Sequence, residues 1–399
     1  MFARRKSLGI LGFITAVSLL MGGCRARNNT AKTDEVSATT TSQEAPLTLE
    51  QRTQDEGIKK FISSPVEDNT VAIFEPNNYH HECIPGYAKY FVDLGYNVEL
   101  LIIKGNEDSM ELFEPKDKIK IYTYDNLEGI LPAAPELANK FSKYNHVLVN
   151  SLGVAEEKNI KKLKFLDNSN SLFVVHNTDF IKELKLQSYV QQNKIITLGD
   201  LKKALYVNPN YFGNITRKPK NKKTRFFMTS TFGRKYDKLV NAFSELKNKN
   251  LDFEVMVSGR SETFGVDNLP ENLKQNFVFR YGIPYSEMYK EVQNSDFIIM
   301  TLDPENKNDR GFKTTTCTGT AQLIYGFLKP AVVDKDFAEC YKLNSENSLV
   351  HQTKDFSQCL EKAINMNQEE YSEVQNNLEK TVKSIYSQSL DNLKKALGE

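Results

Sequence analysis

The sequence lacks an excess of charge of either sign: 52 Lys and Arg residues face 51 Asp and Glu residues, for a formal net charge of +1. Proteins that hold nucleic acid or an anionic membrane surface through their overall field carry a clear excess of basic residues. The balance excludes that mode of binding for the molecule as a whole. We therefore expect no nucleic-acid partner, and any anion site must be a local cluster of cations.

Cysteine is scarce, and none of the five cysteines forms a C-x-x-C pair or a metal-ligand spacing with histidine. This pattern excludes the common thiolate zinc sites, and we predict no bound metal. Four cysteines lie well inside the chain, and we expect them to be small buried hydrophobic side chains: Cys83, Cys317, Cys340 and Cys359. Disulfides between them in an oxidising compartment stay open.

An apolar stretch at residues 7–23 follows the basic triplet RRK and ends in "LLMGGC". A basic segment, a short apolar run and small residues before a cut are the layout of a secretory signal. The small residues before Cys24 resemble a bacterial lipobox, which implies that Cys24 becomes the lipidated first residue of a cell-envelope lipoprotein. The alternative for residues 1–24 is a membrane anchor with the body on the cytoplasmic face of the inner membrane.

Residues 25–68 are rich in Thr, Ser, Asn, Gln and charge and offer little apolar surface. Such composition favours a flexible tether, with one short helix expected at residues 47–61. The rest of the chain is too long for one typical core, so we expect two domains.

From residue 69 onward, short apolar runs alternate with amphipathic stretches. The predicted strands of a first series are "TVAIFEP", "YNVELLIIKG", "KIKIYTY", "NHVLVNSL" and "SLFVVHNT", and its predicted helices are "GYAKYFVDLG", "APELANKFSKY" and "EEKNIKKLKFL". A second series runs from "TRFFMTSTF" through "DFEVMVSGR", "NFVFRYG", "DFIIMTL" and "PAVVD" to a short edge strand, "SLVHQ". This alternation is typical of parallel α/β sheets, in which ligands bind beyond the carboxyl ends of the strands.

The two series predict Rossmann-like domains at residues 69–213 and 224–365, joined by the basic linker "TRKPKNKKT". Residues 366–399 are predicted to form a last amphipathic helix. Between strand "TRFFMTSTF" and the helix that follows it lie Gly233 and Arg234, with Lys238 in the first turn of that helix. Because the first turn of a helix normally favours acidic residues, these cations indicate an anion site.

The second series resembles the nucleotide-binding domain of GT-B glycosyltransferases, most closely the retaining group called family 4. The segments that carry the resemblance are "FGRKYDKLVNAF", "VMVSGR", "FRYGIPYSEMYKEVQNSDFIIMTL" and "YGFLKPAVVDKDFAE", in the family's order. The segments "HHECIPGYAKYFVDLGYNVELL" and "FVVHNTDF" resemble the family's first domain. The resemblance implies two domains facing a cleft, an acceptor-binding first domain, and a C-terminal helix that returns to it. It also implies that Gly233, Arg234 and Lys238 bind a donor diphosphate.

The loop "NDRGFKTTTCTGTAQLIYG" departs from the family, which usually has two spaced glutamates here. This sequence has no glutamate between Glu305 and Glu339. It offers instead a turn rich in hydroxyl groups, from which we expect further donor contacts by Lys313, Thr316, Thr318, Gly319 and Thr320. The departure leaves the donor sugar, and catalysis itself, open.

Three residues of the first series are candidate catalytic groups. The resemblance implies that His176, at the end of "LFVVH", contacts the donor sugar. His81 and Glu82 lie in the loop after the first strand, where they are placed to orient an acceptor hydroxyl, and Glu82 is a candidate general base for an inverting reaction.

Three functions stay open at this point. The first is a glycosyltransferase that moves a sugar from a nucleotide-diphosphate donor to a glycan or lipid-linked acceptor without a cofactor. The second is a surface lipoprotein of the same fold that binds glycan without turnover. The third, a periplasmic binding protein, fits less well because its interdomain crossovers are missing. Nucleotide sugars are expected in the cytoplasm, which conflicts with a lipidated Cys24.

Overall fold

The computed structural model describes residues 48–152, 162–260 and 262–399. The first half contains one seven-stranded sheet in the order β3-β2-β1-β4-β5-β6-β7, and every neighbouring pair is parallel. Its strands are β1 (Thr70–Phe74), β2 (Asn97–Ile103), β3 (Ile119–Tyr124), β4 (His146–Leu152), β5 (Ser171–Val175), β6 (Ile195–Thr197) and β7 (Leu205–Tyr206). We call this sheet and its helices the N-terminal half.

The second sheet repeats this arrangement in the C-terminal half, with six parallel strands in the order β10-β9-β8-β11-β12-β13. Its strands are β8 (Thr224–Thr229), β9 (Phe253–Gly259), β10 (Phe277–Tyr281), β11 (Phe297–Ile299), β12 (Ala331–Asp334) and β13 (Leu349–His351). In each sheet the strand order reverses beside the first strand, as in doubly wound nucleotide-binding folds. The predicted fold class, two Rossmann-like α/β units, is confirmed.

Helices cover both faces of the sheets. The α-helices are α1 (Leu49–Arg52), α2 (Glu56–Ser63), α3 (Ile84–Asp93), α4 (Leu127–Ile130), α5 (Ala134–Phe141), α6 (Asp179–Glu183), α7 (Gln187–Gln191), α8 (Asp237–Asn248), α9 (Glu271–Lys274), α10 (Tyr285–Asn294), α11 (Gly319–Phe327), α12 (Lys335–Ala338), α13 (Phe356–Asn365) and α14 (Gln368–Leu397). Short 3-10 helices lie at His81–Cys83, Glu107–Met110, Lys116–Lys118, Leu131–Ala133, Leu163–Leu166, Val266–Asn268, Lys307–Lys313, Glu339–Tyr341 and Thr353–Asp355. No helix in these described ranges is both long enough and apolar enough to cross a membrane.

The apolar pattern explains why these segments form a core. All five residues of β1 are buried, as expected for a central strand covered on both faces. Helix α8 buries Leu239, Phe243 and Leu246 on one side, which is the stripe that its sequence predicts.

The last helix, α14, joins the two halves. It begins at a capping box in which Asn367 and Glu370 bond each other's backbone N–H groups. Leu378 and Ile385 pack in the core of the C-terminal half, whereas Leu393 and Ala396 pack in the core of the N-terminal half. The predicted return of the C-terminal helix to the first domain is therefore confirmed.

The last part of the predicted tether, residues 25–68, is folded in the structure. Helix α2 lies within the predicted tether, yet Ile58 and Phe61 are 0% exposed in the core of the N-terminal half. The ring of Phe61 packs edge-on against Tyr122, at 5.2 Å between centroids. Ile58 and Phe61, spaced three apart, place one face of this helix in the core. Residues 1–24, Cys24 and the tether up to residue 47 lie outside the described residues.

Other differences are local. Strands β6 and β7 and the short helices α6 and α7 are absent from the prediction, because each is too brief to show a period. The helix predicted over "EEKNIKKLKFL" falls partly outside the described residues, and the described end of it is the 3-10 helix Leu163–Leu166. All four body cysteines are free thiols; Cys83 is buried as predicted, but Cys340 is exposed.

Candidate functional site

The carboxyl ends of the strands in the two halves meet across a cleft. Two backbone contacts link them there: Thr178 donates its N–H to Thr315 O at 2.7 Å, and Asn177 forms an isolated β-bridge with Thr316. Thr316 Oγ1 also donates to His176 O at 3.0 Å. The Thr-rich turn predicted to bind the donor thus lies against the end of the strand that carries His176.

Two stacked histidines lie at this junction. The His80 and His176 rings are 3.8 Å apart between centroids. His176 Nε2 lies 3.0 Å from Asn150 O, and since a carbonyl only accepts, this nitrogen carries the proton and leaves Nδ1 as an acceptor. Burial, with a smaller contribution from the charge of His80, lowers the pKa of His176 to about 3. His176 is therefore a neutral imidazole at physiological pH.

Glu82 reaches across the cleft from the N-terminal half. Its Oε1 lies 3.5 Å from His80 Nδ1, and its Oε2 accepts a hydrogen bond from the Tyr285 hydroxyl at 3.1 Å. If Gly319, the first residue of α11, carried a side chain, its Cβ atom would lie 3.8 Å from Glu82 Oε1. Burial raises the pKa of Glu82, but the hydrogen bond and charge of His80 outweigh it and lower the pKa to about 2. A carboxylate with so low a pKa stays ionised and is a weak base, so Glu82 is suited to accept a hydrogen bond from an acceptor hydroxyl and to orient it.

His81 is not part of this cluster. Its side chain is 0% exposed, and neither ring nitrogen has a hydrogen-bond partner in the described chain. Burial lowers the pKa of His81 to about 4. The structure places His80 at the position for which the sequence suggested His81, because the left-handed backbone of His80, with φ of 66°, turns the two neighbours apart.

The two cations predicted to bind phosphate already have acidic partners. Arg234 pairs with Asp309, and the two side chains are only 6% and 2% exposed. The guanidinium also lies 4.5 Å from the ring centroid of Phe312. Lys238 Nζ bonds Asp303 at 2.9 Å and Glu305 at 2.7 Å. A diphosphate would have to compete with these carboxylates, which belong to the segment "DPENKND" and were missing from the sequence prediction.

The remaining predicted donor contacts fall into two groups. Lys313 points toward the surface of its own half, where Nζ bonds Asp336 at 2.9 Å. Thr318 caps α11 by accepting from Thr320 N at 3.4 Å, and the Thr320 hydroxyl bonds Thr229 at 3.0 Å, beside the end of β8. These two hydroxyl groups therefore line the start of a helix at the cleft.

Gly233 sets the turn between β8 and α8. Its φ is +82°, which side chains rarely adopt, and its carbonyl accepts from Asn306 at 2.8 Å. The turn that carries Arg234 is thereby tied to the acidic segment.

Arg260, which the sequence prediction missed, offers a cation with no acidic partner in the cleft. Its guanidinium stacks 4.3 Å from the ring centroid of Tyr79, across the boundary between the halves. No carboxylate of the described chain lies within ion-pair distance of it, although its charge helps to lower the pKa of Glu82. Arg260 follows the glycine that ends β9, and the segment "VSGR" was the signal that could have identified it.

One group of described residues has the spacing of metal ligands. A nitrogen of His80, an oxygen of Glu82 and the sulfur of Cys83 lie within 4.8 Å of one another. Burial raises the pKa of the Cys83 thiol well above its ordinary value, which disfavours the thiolate that a metal would need. These residues fit a hydrogen-bonding cluster better than a metal centre.

The fold has known counterparts, whereas no family model and no curated protein matches the sequence. The structure resembles a glycosyltransferase from Rickettsia africae ESF-5, with a TM-score of 0.50 and 16% identity, covering 82% of this chain and 97% of that one. It also resembles TarM, with a TM-score of 0.54 and 9% identity, covering 84% of this chain and 100% of that one. At these identities the comparisons show the fold, which is GT-B.

Proposed function

We propose that the protein is a glycosyltransferase that moves a sugar from a nucleotide-diphosphate donor to a glycan or lipid-linked acceptor. One observation carries the proposal. The cluster of His80, Glu82 and His176 from the N-terminal half lies beside the turn at residues 316–319 from the C-terminal half, at the facing carboxyl ends of two GT-B sheets. The fold of the glycosyltransferase counterparts supports the same function.

In this reaction the bond between the sugar carbon and the diphosphate breaks, and a bond from that carbon to an acceptor oxygen forms. The acceptor hydroxyl passes its proton to an oxygen of the departing diphosphate, and the Glu82 carboxylate beside His80 is placed to orient that hydroxyl. Negative charge grows on the departing diphosphate, and a group that binds it more strongly in the transition state speeds departure. Arg260 is free for this role, and Arg234 and Lys238 join it if they exchange their carboxylate partners for phosphate. His176 and the hydroxyl groups of Thr318 and Thr320 complete the donor side.

Calorimetry with a panel of nucleoside diphosphates tests the donor site. We expect Arg260→Ala to weaken binding by about 1.5–3 kcal/mol, the range for hydrogen bonds to charged groups. If Arg234 also binds phosphate, Asp309→Asn should tighten binding, because it removes the carboxylate that competes for that guanidinium. Lys249→Ala is the matched control, since Lys249 pairs with Glu361 away from the cleft.

Mass spectrometry of reactions with nucleotide sugars tests turnover. Donor consumption by the unmutated protein, lost in His176→Ala while diphosphate binding persists, supports the transferase. Diphosphate binding without consumption of any donor would favour the alternative, a catalytically inactive glycan-binding protein. Unchanged diphosphate affinity in both Arg260→Ala and Asp309→Asn would contradict the placement of the donor.

The resemblance to family 4 supports a retaining reaction, and the lowered pKa of Glu82 makes it a weak general base for inversion. We propose retention, and the anomeric configuration of the product, read by proton NMR, distinguishes the two. No cofactor beyond the nucleotide-sugar donor is proposed.

We also propose that the chain is held at the bacterial cell envelope through a lipidated Cys24. The lipobox-like "LLMGGC" supports this proposal. Cell fractionation, metabolic labelling with a fatty acid and protease treatment of spheroplasts test it. Labelling that is lost in Cys24→Ala, with a protease-accessible body, supports a lipoprotein; a protected body without label supports an anchor on the cytoplasmic face.

A further inference from the structure

Glu75 is a buried carboxyl group that the proposed reaction does not use. It follows β1 directly, and its side chain is 0% exposed. Its Oε2 accepts from Asn150 Nδ2 at 2.6 Å and from Ser151 Oγ at 2.8 Å, and its Oε1 accepts from Asn77 N at 2.9 Å. Three neutral donors, and no lysine or arginine of the described chain, bond this group. Burying a carboxyl without a cation is costly, so its position calls for a reason.

Both partners of Glu75 on β4 hold the histidines of the site. Asn150 Nδ2 also donates to His80 O at 3.0 Å, which helps to fix the left-handed turn at His80. Asn150 O accepts from His176 Nε2, and Ser151 Oγ lies 3.4 Å from the same nitrogen. One residue therefore lies between the carboxyl group and the His176 ring, through Ser151, and one between it and the backbone carbonyl of His80, through Asn150.

We propose that Glu75 is the positioning residue of this site, which holds His80 and His176 in their stacked arrangement through Asn150 and Ser151 only while its carboxyl group is ionised. The expected change in kcat rests on the proposed transferase function. The expected change in the tautomer of His176 does not.

The dependence on ionisation follows from the hydrogen-bond directions. An ionised Glu75 accepts the Ser151 hydroxyl proton, which leaves a lone pair of Ser151 Oγ toward His176 Nε2–H. A protonated Glu75 must donate, and Ser151 Oγ is the nearest acceptor. Ser151 Oγ would then accept from Glu75, so its own proton would turn to another acceptor, and His176 Nε2 is 3.4 Å away. In the proposed switch this nitrogen gives up its proton to accept from Ser151, so His176 takes the Nδ1–H tautomer and its bond to Asn150 O is lost.

The environment of Glu75 makes this switch accessible near neutral pH. Burial raises the pKa of Glu75 to about 7, against the smaller effects of His80, Asn77, Ser151 and Asn150. Besides His80, the titratable groups that face it are Tyr124, whose hydroxyl donates to Glu75 O at 2.6 Å, and Cys83. Burial raises the pKa of both well above their ordinary values, so both stay neutral across this pH range.

The test compares the full-length protein with Glu75→Gln, which keeps the shape of the side chain but cannot ionise. We expect kcat to fall by about 10- to 100-fold, the range found when a group that orients a functional histidine is removed. The KM for the donor should stay within about twofold, because Glu75 does not touch it. In the unmutated protein kcat should fall as the pH drops through about 7, and this acid limb should be missing in Glu75→Gln.

Two further variants keep the result interpretable. Ser151→Ala removes the hydroxyl between Glu75 and His176 and should reduce kcat in the same direction. Glu99→Gln is the matched control: Glu99 is buried on β2 but bonds Tyr144 and Lys120, so its loss should leave the acid limb in place.

A readout independent of turnover separates this inference from the proposed function. Nitrogen-15 NMR of the imidazoles should show the Nε2–H tautomer of His176 in the unmutated protein above pH 7 and its loss in Glu75→Gln. If no donor is consumed but this change occurs, the transferase proposal fails and the positioning role stands. An unchanged tautomer in Glu75→Gln, or an acid limb that persists in it, overturns the positioning role.

Discussion

His80 and His81 show how much depends on the direction of a single side chain. They are neighbours in the loop after β1, yet His80 stacks on His176 at the cleft while His81 is buried with both nitrogens unpaired. The sequence places a histidine in this loop but does not say which one faces the cleft, because the choice depends on the backbone of His80, whose φ is positive. The ion pair of Arg234 with Asp309 could not be predicted from the sequence either, because the two residues lie far apart in the chain.

His81 should make the protein sensitive to acid. Burial lowers its folded-state pKa to about 4, below the ordinary value of 6.5, so the unfolded chain takes up a proton that the folded chain refuses. The stability from neutral His81 is complete above pH 6.5 and is lost as the pH falls toward 4. The loss amounts to about 3 kcal/mol at 1.36 kcal/mol per pKa unit. Between pH 7 and pH 4, we expect the free energy of unfolding of His81→Phe to fall by about 3 kcal/mol less than that of the unmutated protein.

Urea unfolding at both pH values measures this difference. The change in stability between pH 7 and pH 9 is the internal control, because His81 is neutral in both states there. Equal losses on the acid side in the two proteins would contradict the burial of a neutral His81.

At the scale of elements, the sequence predicts those strands and helices whose buried residues form a long apolar pattern. A central strand such as β1 is a nearly continuous apolar run because both of its faces are covered, and α8 carries a full stripe. Strands β6 and β7 are too short for such a pattern, and their place at the sheet edge was not predictable. A short helix was expected where α2 lies, but its packing in the core was not, because the composition around it is that of a polar tether.

Disrupting the packing of α2 in the core should lower the free energy of unfolding. Phe61 is fully buried against Tyr122, Phe141 and Tyr144, so Phe61→Ala leaves a cavity lined by aromatic rings. We expect a loss of about 3–5 kcal/mol in the free energy of unfolding. Lys60→Ala, on the exposed side of the same helix, should change it by less than about 0.5 kcal/mol. Similar values for the two variants would mean that α2 is detached in solution.

At the scale of the whole molecule, the two halves are joined in two different ways. The contacts at the cleft include polar ones, such as Tyr285 with Glu82 and Ser286 N with Asp108 Oδ2 at 3.0 Å. Apolar packing also joins the halves, since α14 lies in both cores and Tyr206 of β7 packs in the core of the C-terminal half. Polar contacts exchange readily with water and ligands, whereas core packing does not. The cleft is therefore the side that can open for a donor, with α14 as the fixed connection.

This division predicts how the molecule unfolds when α14 is released at one end. Leu393→Asp places a carboxylate in the core of the N-terminal half but leaves Leu378 and Tyr371 packed in the C-terminal half. An unpaired charge there is strongly unfavourable, so the end of the helix must leave its site. We expect calorimetry to show two separate transitions, the first at lower temperature, in place of one. Asp391→Ala, an exposed change two residues away, should keep the single transition. One unsplit transition in Leu393→Asp would show that the other contacts between the halves are enough to couple them without this end of α14.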